Sequence, residues 1–222
     1  PLGGAWAPLQ GAILMLDPIE GLHISVGLPT GYGIAANWED LIAKTQVQAG
    51  YTIADVAQIK AQWIGAGKND DEIEGQFEVA ASVKAIEGMT LDVGAKFRTF
   101  DMTEGNFNGY SPVTIGAFWG MPVAGLALNA NAEVSFASKE MSGIDTSVTE
   151  VKIGAGVGYD LGNGMGVGAD VRYSQAFAKL GDNSDSSDPA IAFAAWFDKG
   201  IANGTLGVAF QGATKTDRKS VV

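Results

Sequence analysis

The sequence predicts an all-β fold, an antiparallel up-and-down barrel of about twelve strands that crosses a membrane. Three observations lead there. Long segments alternate polar and apolar residues with a period of two. Several of them reach ten residues or more, beyond the roughly 5–6 usual in soluble sheets and near the roughly 9–11 that a tilted strand needs to cross a bilayer. Short and long connections also take turns along the chain, as they do when every hairpin has one end on each side of a membrane.

The strands are expected at 10–16, 21–28, 43–51, 57–65, 75–85, 88–100, 111–120, 124–138, 147–160, 165–178, 189–198 and 204–212. Short turns are expected at 17–21, 52–56, 86–87, 121–123, 161–164 and 199–203. The run Gly162-Asn163-Gly164 is the plainest of these, because Asn and Gly accept the positive φ of a tight hairpin. Long loops are expected at 29–42, 66–74, 101–110, 139–146 and 179–188, and they carry much of the acid, as in "KNDDEIE" (68–74) and "GDNSDSSD" (181–188). Segment 34–42 reads as a single helix with Asn37 as its cap.

The two faces of these strands differ in kind. In 89–98, Met89, Leu91, Val93, Ala95 and Phe97 oppose Thr90, Asp92, Lys96 and Arg98. In 126–136, Leu126, Leu128, Ala130, Ala132, Val134 and Phe136 oppose Asn129, Asn131, Glu133 and Ser135. The apolar face is rich in Ala and Val, which fill a core poorly but suit contact with lipid chains. Aromatic residues gather in two bands near strand ends. Tyr51, Trp119, Tyr159 and Phe197 lie toward the short turns, and Trp63, Phe77, Phe97, Phe136 and Phe210 toward the long loops. Two such bands predict membrane-interface girdles.

The polar face predicts a wet lumen. Its cations are Lys60, Lys84, Lys96, Arg98, Lys152 and Arg172, and its anions are Glu78, Asp92, Glu133, Glu150 and Asp170. These nearly cancel, so the formal net charge of −11 is assigned to loops and turns. The acidic balance argues against nucleic acid, whose phosphates call for Lys and Arg. Cysteine is absent, which removes disulfides and thiolate chemistry.

The whole chain resembles a porin-type bacterial outer-membrane β-barrel. The phrases "DPIEGLHISVGL" (17–28) and "AIEGMTLDVGAKF" (85–97) repeat a turn-plus-strand pattern similar to that of spirochaetal, particularly treponemal, outer-membrane barrels. The resemblance implies residence in the outer membrane. The alternation of connections leaves both ends on the long-loop side, so the single barrel domain over 1–222 is expected to lack a strand at each end of a parent of about fourteen; the alternative is that the twelve strands close on themselves or that residues 1–9 form an incomplete strand.

No catalytic motif or metal-ligand spacing stands out, so the expectation is a protein that is no enzyme and uses no cofactor or metal. The lone His23 shares the polar face with Ser25, without a sequence-evident acid partner, and reads as a lumenal or rim residue. The acidic run 181–189 lacks the spacing of a calcium loop. Gly154, Gly156, Gly158, Gly166 and Gly168 are expected to leave part of the lumen wall bare, to seat an inward loop, to leave width for solute, or simply to bend the strands. The function these features favour is passive diffusion of small hydrophilic solutes. The alternative is a non-channel surface barrel acting as an adhesin or structural protein. Expected partners are the lipid bilayer and small solutes or ions; a homo-oligomer is compatible with this reading.

Overall fold

A computed structural model describes residues 11–29, 43–54, 56–69, 72–84, 86–98, 113–141, 143–202 and 204–214. Thirteen strands account for most of them. They are β1 (Gly11–Ile19), β2 (Leu22–Pro29), β3 (Gln46–Ile53), β4 (Ala57–Asn69), β5 (Glu72–Val83), β6 (Thr90–Arg98), β7 (Val113–Val123), β8 (Leu126–Met141), β9 (Ile144–Gly162), β10 (Met165–Leu180), β11 (Asn183–Ser186), β12 (Ala190–Ile201) and β13 (Gly204–Ala213). Hydrogen bonding follows chain order, with β12 beside β10 and the short β11 pairing β10 off this path. Among the described residues no helix is long and apolar enough to cross a membrane.

The chain gathers into two compact units. One contains β1 to β5 and most of β6. Its register sets Ser25, Gln48, Gln62 and Glu78 side by side across β2 to β5. On the other face of the same strands, Val26, Val47, Trp63 and Phe77 form a row. The second unit contains most of β7 and β8 and all of β9 to β13. There, Gly156, Asp170, Ala194 and Gln211 align across β9, β10, β12 and β13. Because side chains alternate strictly, one such row fixes the facing of every residue above and below it.

The accessible face is the apolar one. In β3, Val47, Ala49 and Tyr51 are exposed while Gln46, Gln48 and Gly50 are partly shielded. In β12, Ile191, Phe193, Ala195 and Phe197 are exposed while Ala192, Ala194, Trp196 and Asp198 are shielded. Leu206, Val208 and Phe210 are 64%, 69% and 66% exposed. The only buried hydrophobic side chains among the described residues are Ala43 and Ala137. A water-soluble sheet would bury its apolar face. These strands turn it outward, as the period-two pattern with small apolar residues predicts for contact with lipid.

The turns follow local chemistry. Asn163 and Gly164 close the β9–β10 hairpin with φ of 54° and 69°, the positive-φ pair of a type I′ turn. The Asp160 carboxylate accepts the Gly162 N–H at 2.8 Å, which steadies the entry to this turn. The turn expected at 121–123 lies instead at Ala124-Gly125, where φ is 50° and 83°. At the first hairpin the expected turn 17–21 narrows to Glu20-Gly21, and Pro18 is absorbed by a register irregularity between Leu16 and Ile19.

Three expected long loops are largely strand. β4 reaches Asn69 and β5 begins at Glu72, inside the expected loop 66–74. β8 reaches Met141 and β9 begins at Ile144, inside 139–146. Loop 179–188 contains β11. The alternating pattern marks where a strand meets an apolar medium, whereas backbone pairing in a hairpin continues past that band into polar sequence. Loop 101–110, the expected helix at 34–42 and nearly all of 29–42 lie outside the described residues.

Neighbouring alanines on β12 test the facing. Ala195→Arg, on the apolar face, should destabilise the folded protein by about 2–4 kcal/mol if placed near the bilayer midplane. Ala194→Arg, opposite Asp170, should be tolerated. Reversible denaturant unfolding in lipid vesicles reads both; equal costs would refute the assignment of faces.

Candidate functional site

The polar faces are where charge and hydrogen bonding concentrate. In the first unit a chain of contacts runs across three strands. Arg98 Nε donates to Gln76 Oε1 at 2.7 Å, Gln76 Nε2 donates to Glu78, and Gln62 Nε2 donates to Glu78 Oε2 at 2.5 Å. The amides relay between the Glu78 carboxylate and the Arg98 guanidinium, which lie on neighbouring strands. Such shielded charge stays only when it is hydrogen-bonded, and here it is. Lys60 belongs to the same face, between Gly50 and Ala80. Asp92 and Lys96 share the face of Arg98 by the alternation of β6. Lys84 lies beyond the end of β5, its N–H bonded to the Val56 carbonyl at 2.8 Å.

His23 has the acid partner that its sequence surroundings do not reveal. Its Nδ1 donates to Asp17 Oδ1 at 2.7 Å. Asp17 is brought back to His23 by the hairpin and its irregularity at Pro18. Ser25, two residues along the same face, is 1% exposed, and its hydroxyl has no hydrogen-bond partner among the described residues.

In the second unit Lys152 is held between two carboxylates. Its Nζ lies 2.9 Å from Glu150 Oε2 on its own strand and 3.2 Å from Glu133 Oε1 on β8. All three side chains are 40–46% exposed, so this clasp orders the wall more than it stabilises the fold. Arg172 stands opposite Gly154 and Ala192.

The glycine patch is filled rather than bare. Across β9, β10 and β12 the rows read Asp160–Gly166–Asp198, Gly158–Gly168–Trp196, Gly156–Asp170–Ala194 and Gly154–Arg172–Ala192. Trp196 is the one aromatic side chain in these rows. Its indole lies over Gly168, where a Cβ would overlap the ring, and its edge comes within 3.8 Å of the Cβ position at Gly158. The Asp170 carboxylate lies over Gly156, and the Asn131 amide over Gly154. The glycines are therefore the floor on which longer neighbouring side chains lie flat. Sequence reading missed Trp196 because the alternation of "AIAFAAWFDKG" is blurred by apolar residues on both faces. Its position two residues before Asp198 is the signal that places it on the polar side.

The outer aromatics fall into rows. Trp63 and Phe77 are register partners, and Phe77 stacks on Phe97 with ring centroids 6.5 Å apart. Phe193 and Phe210 lie 5.9 Å apart. Toward the short turns, Tyr159 and Phe197 flank Val167 in one row. Tyr51 and Phe136 are exposed, and Trp119 is partly so. Among the described residues no group of three His, Asp or Glu side chains is gathered around a position for a metal ion.

No protein-family model matches the chain, and no curated protein matches it in sequence. Its fold is similar to the solved structure of OmpTdeltaL8, the loop L8 deletion mutant of OmpT, an outer membrane protein of Vibrio cholerae. The TM-score is 0.59 at 11% sequence identity, covering 92% of this chain and 74% of that one. The fold is thus that of an outer-membrane β-barrel, and outer-membrane localisation accords with it. The same likeness corrects the expectation that the chain is no enzyme. It assigns a fold, and one fold hosts unrelated activities, so a missing motif does not make the chain catalytically inert. The His23–Asp17 pair also removes one premise of that expectation.

The glycine floor carries its own test. Gly168→Leu should lift the indole of Trp196 off the strand and change its fluorescence maximum, while Gly143→Leu, where a Cβ meets open space but φ is 79°, should leave that signal alone. An unshifted Gly168→Leu spectrum would show that the ring does not rest there.

Proposed function

We propose that the chain forms a passive outer-membrane channel of porin type, through which small hydrophilic solutes diffuse. One observation carries this reading: in both units polar-face side chains such as Gln48, Gln62, Glu78, Arg98 and Asp170 are partly shielded, while side chains of the opposite face such as Val47, Phe77, Val157 and Phe197 are exposed. A polar surface that is turned inward and kept charged suits a water-filled path. Passage of this kind needs width and a lining, with no bond made or broken.

The lining supplies donors and acceptors at every level. The Arg98–Gln76–Glu78–Gln62 relay and the Glu133–Lys152–Glu150 clasp each hold opposite charges close together. Solutes that exchange water for such groups lose little hydration energy. Selectivity from the paired residues is weak, because their charges offset. Asp160 and Asp198 extend the polar face toward the short turns and make that end acidic, so it favours cations mildly. At physiological ionic strength this preference acts over about 8 Å.

Planar-bilayer recording of the purified full-length protein tests the proposal. Discrete conductance steps are expected. Folded, inserted protein without steps would sink the channel reading and favour a surface barrel without a pore. In a potassium chloride gradient, Lys60→Glu combined with Lys96→Glu should move the reversal potential toward that of potassium. The shift should shrink in molar salt, where the screening length falls to about 3 Å.

A further inference from the structure

We infer that the shelf formed by Trp196 is a binding site for a small organic cation, an ammonium or guanidinium group on a short aliphatic body. The inference rests on the channel reading for its biological setting and on the geometry of the second unit for its chemistry.

A cavity of about 440 Å³ opens over this part of the wall, within the size range of small-molecule sites. Trp196, Tyr159, Asn129, Asp160 and Asp170 are its aromatic and polar lining, beside Gly158 and Gly166 and the apolar Leu126 and Val157. The indole rests on Gly168 with its edges toward Gly158 and Gly166. A ring that lies flat on backbone presents its other face to whatever enters. Such a face attracts cations through the ring quadrupole.

Among the described residues the charged side chains that line the cavity are carboxylates, and the neighbouring cation, Arg172, stands one row beyond Asp170 on the same face. Asp198 stands at the edge of the cavity, with its carboxylate over Gly166 beside the same indole. The three aspartates are not gathered as ligands of one metal ion; they surround an aromatic surface instead. A soft organic cation satisfies both features, since its charge meets carboxylates while its body lies on the ring. A neutral sugar would use the ring and Asn129 but would leave the carboxylates uncompensated.

The test uses the full chain folded in detergent and titrated with agmatine, followed by isothermal calorimetry so that binding is read in every variant. Saturable binding is expected at low salt and should fall steeply as salt is raised. Trp196→Phe and Asp170→Asn should each weaken it about ten-fold, whereas Lys152→Gln should leave it unchanged. Circular dichroism confirms that each variant is folded, and Asp198→Asn serves as a second carboxylate variant should Asp170→Asn misfold. Absence of agmatine binding, or affinity untouched by both Trp196→Phe and the carboxylate changes, overturns the inference. Maltose binding in place of agmatine overturns the assigned ligand class. Conductance without agmatine binding removes the site and leaves the channel reading intact. Agmatine binding by a protein that conducts no current removes the channel and leaves the site.

Discussion

A strand that meets oil on one face and water on the other has no freedom in its period. Each backbone N–H and C=O must find a partner on the next strand, because hydrocarbon offers none. Once the ladders are in place, every second side chain is committed to one medium. The cross-strand rows of this protein express that constraint. Ser25, Gln48, Gln62 and Glu78 share one line, and Val26, Val47, Trp63 and Phe77 share the next. Neither line could shift by one residue without sending the Glu78 relay into lipid.

Without an interior core, other interactions must fix the wall. Fully buried hydrophobic side chains are almost absent among the described residues. Backbone ladders hold the strands together, and side chains of the polar face tie neighbours across them. Lys152 bridges β9 to β8, and Gln62 bridges β4 to β5. Individually these contacts are modest. Their contribution is positional: they hold charges at set levels along the wall.

Much of this was legible in the sequence. The alternation of "TLDVGAKFR" and "LALNANAEVSF" placed Lys96, Arg98, Glu133 and Asn129 on one face because period two has a single solution. Strand ends were less legible. Residues such as "KNDDEIE" look like a loop, yet pairing extends into them, since hydrogen bonds between backbones do not consult side-chain hydropathy. Two features of the site were hidden for a different reason. The Asp17–His23 contact depends on how a proline is absorbed in a hairpin. The seating of Trp196 depends on which glycines three different strands bring together. Both are products of register, and register is a relation between segments that no single segment contains.

The extension of β9 and β10 beyond the apolar band, with β11 laid against β10, has a consequence for the acid carried there. Ser187 N–H bonds to the Ala176 carbonyl, and the Gly181 N–H to that of Asp145, so this hairpin is a hydrogen-bonded ribbon almost to its tip. Asp182, Asp185 and Asp188 are exposed on it. Charges on a floppy loop are averaged over many positions, and an approaching molecule meets only their mean. Charges on a ribbon keep their spacing. That end of the protein therefore carries a fixed pattern of charge, to which another surface can be complementary in shape as well as in sign.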